Sequence, residues 1–309
     1  IGLNWKERFL LRYMFESFLL ANKLNWQITL QFSTMLQIRS MTAKDFVFAT
    51  ELANTMDWNM AIEDFQFMTS LEPGGCFVLF DGSKPIGIAT SNSYGKVGWF
   101  GNLIVKKEYR GKGAGSQLVK HAIDYLREKG VGTIGLYAYP NLVHFYSCLG
   151  FRYDEDFSVL HAPALKAISA EALPSVGTNN IQQIAAFDHR CFGGDRRKLL
   201  ESIILDKGNL SYCVSKDDEA IGYVAATVYE TMAWVGPLVC QEGKVNAAVM
   251  LLKGVLSKLT GLRVYVALPK KETALVATLS TAGFKEDFSI VRMFFGPNVA
   301  TNCIYLAES

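Results

Sequence analysis

The chain repeats itself. Trp99-Phe-Gly101-Asn-Leu103 returns as Trp234-Val-Gly236-Pro-Leu238, 135 residues on, and Leu149-Gly150-Phe151 returns as Ala282-Gly283-Phe284, 133 residues on. Landmarks about fifty residues apart, displaced by nearly the same amount, mean duplication of one fold rather than chance. At 309 residues the chain is also about twice the commonest domain length. The fold class expected is α+β, twice over.

Composition narrows the functional classes. Half of the residues are apolar and 19% are charged, which suits packed cores and excludes a disordered acidic tail or a collagen-like repeat. Lys plus Arg number 31 against 29 Asp plus Glu. A net charge of +2 leaves no electrostatic footprint for nucleic acid. The six cysteines contain no CxxC pair and the four histidines no HxxxH, so no metal site is expected. Cysteines this sparse in so large a chain read as reduced thiols in a cytoplasmic protein.

Residues 5–24 interleave Trp5, Phe9, Leu10, Met14, Phe15 and Phe18 with Lys6, Glu7, Arg8, Arg12, Glu16 and Lys23. Charges this frequent argue against stable membrane insertion and against a signal-peptide core. Two readings remain, an amphipathic targeting or membrane-surface helix and an upstream extension. The first residue is Ile1 and Met35 opens a segment like a domain start, so 1–34 is expected to be an extension.

From Leu36 strands and helices alternate. Leu36–Arg39 reads as a strand, and 43–57 and 61–71 as helices. Cys76–Phe80, Ile86–Tyr94 and Val97–Val105 read as three antiparallel strands joined at Asp81-Gly82 and Gly95-Lys96. Ala114, Leu118, Val119, Ala122, Ile123 and Leu126 share one helical face, with Gly130 at the cap. A strand over Thr133–Ala138, a helix over Asn141–Leu149 and a further strand pair complete the unit near Leu160. Residues 161–177 read as a loop.

The chemistry concentrates between Leu103 and Ser116, a strand, a basic turn and a helix start. Gly111, Gly113 and Gly115 let the backbone approach a ligand closely. The amides of the next helix start favour phosphate oxygens, and Arg110 and Lys112 add full charges. The physical reading is a pyrophosphate cradle. A Rossmann fingerprint fails because Ser116 stands where the third glycine belongs. A Walker loop fails because no Gly-Lys pair is followed by Ser or Thr. What remains is R-x-x-G-x-G, here Arg110-Gly-Lys-Gly113-Ala-Gly115, after an antiparallel strand.

On these residues the chain resembles the GNAT N-acetyltransferase superfamily over roughly Leu36–Leu160. Tyr146-Ser-Cys-Leu-Gly150-Phe151 is similar to the family's Y-x-x-x-G-F. The resemblance implies two tandem GNAT-like domains, each a mixed, mostly antiparallel sheet flanked by helices. The boundaries expected are 35–160 for the catalytic domain and 161–309 for a degenerate one. It implies acetyl-CoA as cosubstrate, held by Leu103, Ile104 and Val105 along the pantetheine and by Arg110, Gly111, Lys112, Gly113, Ala114, Gly115 and Ser116 at the pyrophosphate. Asn141 resembles the family's helix-start Asn, although closer to Tyr146 than usual. Tyr146 is expected as general acid toward the departing thiolate. A thiol of pKa near 8.5 already leaves fairly well, so that role is modest.

The strand Val97–Val105 carries no carboxylate where many relatives have a Glu. At pH 7.4 a lysine amine is about one part in a thousand neutral, an α-amine roughly a third. The missing base therefore favours a low-pKa amine or a base elsewhere. Asp57, Trp58, Asn59 and Asn102 are the residues expected to border the acceptor.

The second half resembles GNAT-like domains fused to catalytic ones, through Phe192-Gly-Gly-Asp195-Arg196, Trp234–Leu238 and Val291–Gly296. Its loop Cys240–Asn246 lacks the arginine and the glycine ladder. Asp195-Arg196 is read either as touching substrate or as a helix cap with a solvated Arg. The leading function is an acyl-CoA-dependent N-acyltransferase on a small-molecule or protein amine. The alternative is a non-enzymatic acyl-CoA-binding or regulatory protein.

Overall fold

A computed structural model describes residues 36–299, apart from 218, and 303–306. The readings placed on 1–34 lie outside the described residues. The chain forms two compact units that do not follow sequence order. The first takes residues 36–69, 76–90 and 102–121, the second 70–75, 91–101 and the described residues from 122 onward.

In the first unit, β1 (Leu36–Ser40) pairs antiparallel with β2 (Cys76–Asp81), and β2 with the start of β3 (Lys84–Tyr94). α1 (Phe46–Asn54) and most of α2 (Ile62–Leu71) lay Phe46, Leu52 and Phe65 on Val78, Ile88 and Ile104. The helix expected over 43–57 is a separate turn at Ala43–Asp45 followed by α1. Asp45 causes the break. Its carboxylate accepts both Arg39 guanidinium nitrogens at 2.7 and 2.8 Å, together with Thr42 N–H and Thr42 Oγ1. These partners hold its pKa down at about 2.

In the second unit the strands run in the order β4–β5–β11–β6–β10–β9–β8–β7, with β12 beside β9. They are the start of β4 (Val97–Val105), β5 (Thr133–Ala138), β6 (Arg152–Ala162), β7 (Leu210–Lys216), β8 (Glu219–Val228), β9 (Met232–Gln241), β10 (Arg263–Pro269), β11 (Lys285–Phe295) and β12 (Cys303–Leu306). β6 and β11 are both 11 residues long and both follow a Gly-Phe, so they are equivalent strands. Yet β5 pairs with β11, and β10 pairs with β6. The two repeats exchange their last strands. The pair of strands expected after Phe151 is therefore one long strand, whose partners come from the other repeat.

On one sheet face, α7 (Val245–Leu256) and α8 (Thr273–Thr281) bury Leu251, Val255 and Leu279 against Val235, Val264 and Val266. On the other, α5 (Ile181–Phe192) and α6 (Arg197–Ile204) pack on Tyr223, Ala225 and Val239. Arg196 is neither solvated nor at a surface, because it is enclosed at 1% exposure. Its guanidinium donates to Asp188 at 2.6 and 3.0 Å, and the Tyr223 hydroxyl donates to the same carboxylate at 2.6 Å. A buried charge needs such partners. Asp195 stands one residue ahead of the helix N-cap, Arg196, and its carboxylate accepts Arg197 N–H at 3.0 Å.

The expectation of six reduced thiols is corrected by a disulfide joining Cys191 to Cys303 across 112 residues. Cysteine spacing carries no sign of it, since only the fold brings the two Cα atoms to 5.8 Å.

Candidate functional site

The site begins at an irregularity in β4. Asn102 holds φ +48° in mid-strand, a left-handed conformation uncommon for a side-chain-bearing residue. Its Nδ2 donates to Thr90 Oγ1 and contacts Met68 Sδ, both at 3.1 Å, so the amide is fixed inward. The parallel register of β4 with β5 takes in Val97↔Thr133, Gly98↔Ile134 and Trp99↔Gly135. Leu103, Ile104 and Val105 lie beyond that register along β4.

Past Val105 the chain makes one turn at Lys107–Tyr109 and enters α3 (Ala114–Glu128). Gly111 and Gly113 hold φ +74° and +85°, and an added Cβ at either would meet nothing within 4 Å. The glycines are required by backbone conformation, and the space beside them is open. Gln117 N–H donates to Gly113 O at 3.1 Å and closes the first helical turn. The amides of Ala114, Gly115 and Ser116 precede that bond, as helix-start amides do. Arg110 Nε donates to Val105 O at 2.7 Å, and its Nη2 reaches Met56 Sδ at 3.6 Å. Lys112 Nζ donates to Glu108 O at 2.8 Å. Two cations, a helix start and two left-handed glycines thus share one turn.

The α1–α2 connection carries the next irregularities, Asp57 at φ +58° and Asn59 at +50°. Asn54 organises it, donating from Nδ2 to Met60 O at 3.0 Å and accepting Met60 N–H at 2.8 Å. Asp64 accepts Ala61 N–H at 2.7 Å and starts α2. Trp58 packs on the first unit's core, half-buried. Asp57, Asn59 and Asn102 are the first unit's side-chain-bearing residues with positive φ. Such conformations cost of order 1–3 kcal/mol and cluster where geometry serves a purpose. Sequence reading missed Asn54, Met56, Met68 and Thr90. For Asn54 a signal existed, because Asn at a helix end commonly bonds local backbone.

The structure gathers fourteen of the sixteen expected site residues in the first unit. Asn141 and Tyr146 belong to the second. Asn141 lies exposed in the turn Pro140–Leu142 ahead of α4 (Val143–Ser147). Tyr146 is 5% exposed, with its ring edge-to-face on Phe100, Phe145 and Phe151. Burial pushes its phenol pKa well above the usual tyrosine range, so it keeps its proton at neutral pH.

The Tyr146–Phe151 signature is also a helix stop. Phe151 N–H bonds Tyr146 O at 3.1 Å and Gly150 N–H bonds Ser147 O at 3.0 Å, with Gly150 at φ +93°. This is a Schellman motif with its apolar contact between rings 146 and 151. The second repeat has the same stop, with Phe284 N–H on Leu279 O and Gly283 N–H on Ser280 O, both at 3.0 Å. There Leu279 stands in the place of Tyr146.

No carboxylate on β4 replaces the missing base. In the second unit the buried Glu72 accepts from Lys129 Nζ at 2.6 Å, Tyr125 OH at 2.5 Å and Ser93 N–H at 3.2 Å. Burial works against its charged form, but these donors outweigh that and hold its pKa below the usual value. Glu72 is a structural anion.

A strand with a left-handed residue leads into a glycine-rich helix start, in an α+β fold built twice. Comparison with known proteins gives the class its name. Residues 37–151 match the acetyltransferase (GNAT) family and residues 184–305 an acetyltransferase (GNAT) domain. An uncharacterized N-acetyltransferase of Bacillus subtilis, YitH, is 26% identical over 206 residues, 63% of this chain and 68% of that protein. A candidate acetyltransferase from Pyrococcus horikoshii superposes with TM-score 0.73 at 22% identity, over 88% of this chain and 93% of that one. A tandem GNAT protein from the clavulanic acid biosynthesis pathway gives TM-score 0.57 at 14% identity, over 85% and 100%. At such identities the superpositions speak for the fold. The chain belongs to the GNAT acetyltransferases. It carries two GNAT domains in tandem and is an N-acetyltransferase, of a family whose cosubstrate is acetyl-CoA.

Proposed function

We propose that this chain transfers an acetyl group from acetyl-CoA to an amine by direct attack on the thioester, using one acetyl-CoA per chain. The observation that carries the reading is the open turn at Gly111 and Gly113, flanked by Arg110, Lys112 and the start of α3. It suits a pyrophosphate because unhindered amides and two cations replace the water a polyanion must shed. Leu103, Ile104 and Val105 hold the pantetheine arm, and their amides polarise the thioester carbonyl. Asp57, Trp58, Asn59 and Asn102 border the acceptor. Asn141 beside the pantetheine and Tyr146 as proton donor to the thiolate are assigned on the sequence match alone. The catalytic repeat is placed at 35–160 and the degenerate one at 161–309.

Without a carboxylate on β4, the acceptor is an amine partly neutral at physiological pH, in a small molecule or a protein. Release of free CoA thiol on a panel of amines tests this. At pH 7.4 amines of pKa near 8 should turn over at least tenfold faster than lysine-like amines. Thiol release from no amine, with acetyl-CoA still bound, would leave an acyl-CoA-binding protein instead.

A further inference from the structure

β12 occupies the place in the second repeat that corresponds to the pantetheine edge of the first. Trp99 and Trp234 are equivalent, and a shift of 135 carries Leu103–Lys106 onto Leu238–Gln241. The strand irregularity is equivalent too. Across from Val224, Ala225 and Ala226 on β8, β9 spends two residues, Gly236 and Pro237, against the single Ala225, a bulge at the position of Gly101-Asn102. Before the bulge β9 pairs parallel with β10 over Met232–Val235, as β4 pairs with β5. After it, β10 no longer pairs with β9.

A segment of the same chain fills that gap. Cys303–Leu306 pairs antiparallel with Leu238–Gln241, in the register Cys303↔Gln241 to Leu306↔Leu238. The strand is bonded covalently as well, since Cys303 is joined to Cys191 at the end of α5. Cys191 is 5% exposed in the α5–α6 core, so its end of the tether is rigid.

We propose that β12 is a built-in competitor of a thioester arm: it occupies the β9 edge of the second repeat, and the Cys191–Cys303 bond keeps it there. The inference rests on reading Leu103–Val105 as the pantetheine edge. The ligand class is a pantetheine thioester without its nucleotide, because the adjoining loop offers only Gly243 and Lys244 to phosphate. Release requires a dithiol reductant. The S–S bond takes up two electrons and two protons and becomes two thiols, while the dithiol becomes a cyclic disulfide.

Hydrogen exchange of the full-length chain tests it, read separately over 238–241 and 103–105. In the oxidised protein the amides of 238–241 that face β12, the alternate ones being turned to β8, should exchange slowly. After reduction by dithiothreitol, with thiols counted by alkylation, they should exchange at least tenfold faster, and S-acetylpantetheine at millimolar concentration should slow them again. Cys303→Ser should behave as the reduced protein without reductant. Equal exchange before and after reduction overturns the tether. Acceleration that S-acetylpantetheine does not reverse overturns the arm site. Protection of 103–105 by acetyl-CoA reports on the first repeat independently, so a failure there sinks the proposed function without being mistaken for a failure of β12.

Discussion

The indole of Trp99 lies over the bare backbone of Gly135. A Cβ at that position would sit 2.2 Å from Trp99 Cζ3 and 2.6 Å from Cε3. The two are register partners on β4 and β5. In the second repeat the same pair is Trp234 and Tyr265, whose rings stack at 5.6 Å and 15°. Glycine against tyrosine decides how each indole lies. With Gly135 beneath it, Trp99 reaches Tyr137, Phe192 and Phe294 at ring distances of 5.2, 6.2 and 6.1 Å.

Gly135→Ala should therefore destabilise the protein by about 2 kcal/mol or more through overpacking. The loss should be smaller in a Trp99→Leu background. A double-mutant cycle followed by denaturant unfolding measures the coupling, and strict additivity would show that the indole is not the obstacle.

Gly113→Ala should cost about 1 kcal/mol of stability from its positive φ and at least tenfold in acetyl-CoA affinity. Gly82 has φ +58° and equally open surroundings on the hairpin between β2 and β3. Gly82→Ala should show the stability loss without the binding loss. Calorimetric titration of both variants decides whether the turn at Gly113 holds phosphate.

Tyr146→Phe should lower kcat at least tenfold while acetyl-CoA Kd stays within about twofold. The ring that meets Phe151 is retained, and Leu279 shows that an apolar side chain suffices at this helix stop. Stability should change by less than about 0.5 kcal/mol. An unchanged kcat would remove the hydroxyl from the reaction.

The elements and the glycine-rich turn before α3 were legible because their determinants are local. A continuous apolar run marks Cys76–Asp81, and Gly130 ends α3 at φ +81° with Val131 N–H on Leu126 O. The exchange of β6 and β11 was not legible, because each strand's pattern is the same beside either neighbour. Nor was the burial of Arg196, whose partner Asp188 is also bonded by Tyr223, 35 residues beyond Asp188 in the chain. The left-handed residues of the first unit were half legible. Asn and Asp are both enriched in left-handed backbone, which fits Asp57, Asn59 and Asn102, but no local rule says which Asn or Asp adopts it.

Asp45 gives a pH signature. Its folded carboxyl, near pKa 2 against an ordinary 3.8, contributes stability that is complete above about pH 4 and disappears as pH falls toward 2. Its side chain is 9% exposed, but Arg39 is 47% exposed, so the discounted contribution is about 1–2 kcal/mol. Asp45→Asn should lose that amount at pH 7 and match the parent near pH 2. Urea unfolding across this range checks it, and a pH-independent difference would assign the loss to the turn at Thr42 instead.

The exchanged strands dictate when the protein can finish folding. Ala138 on β5 waits for Val291, more than 150 residues later in the chain. At roughly 5–20 residues per second, a ribosome delivers that partner about 8–30 s after β5 has emerged. Until then β5 and β6 present open edges, which are templates for wrong pairing. A nascent chain of this architecture has no finished first half to release early. Its two copies must be completed together, and slow synthesis lengthens the exposure that a chaperone has to cover.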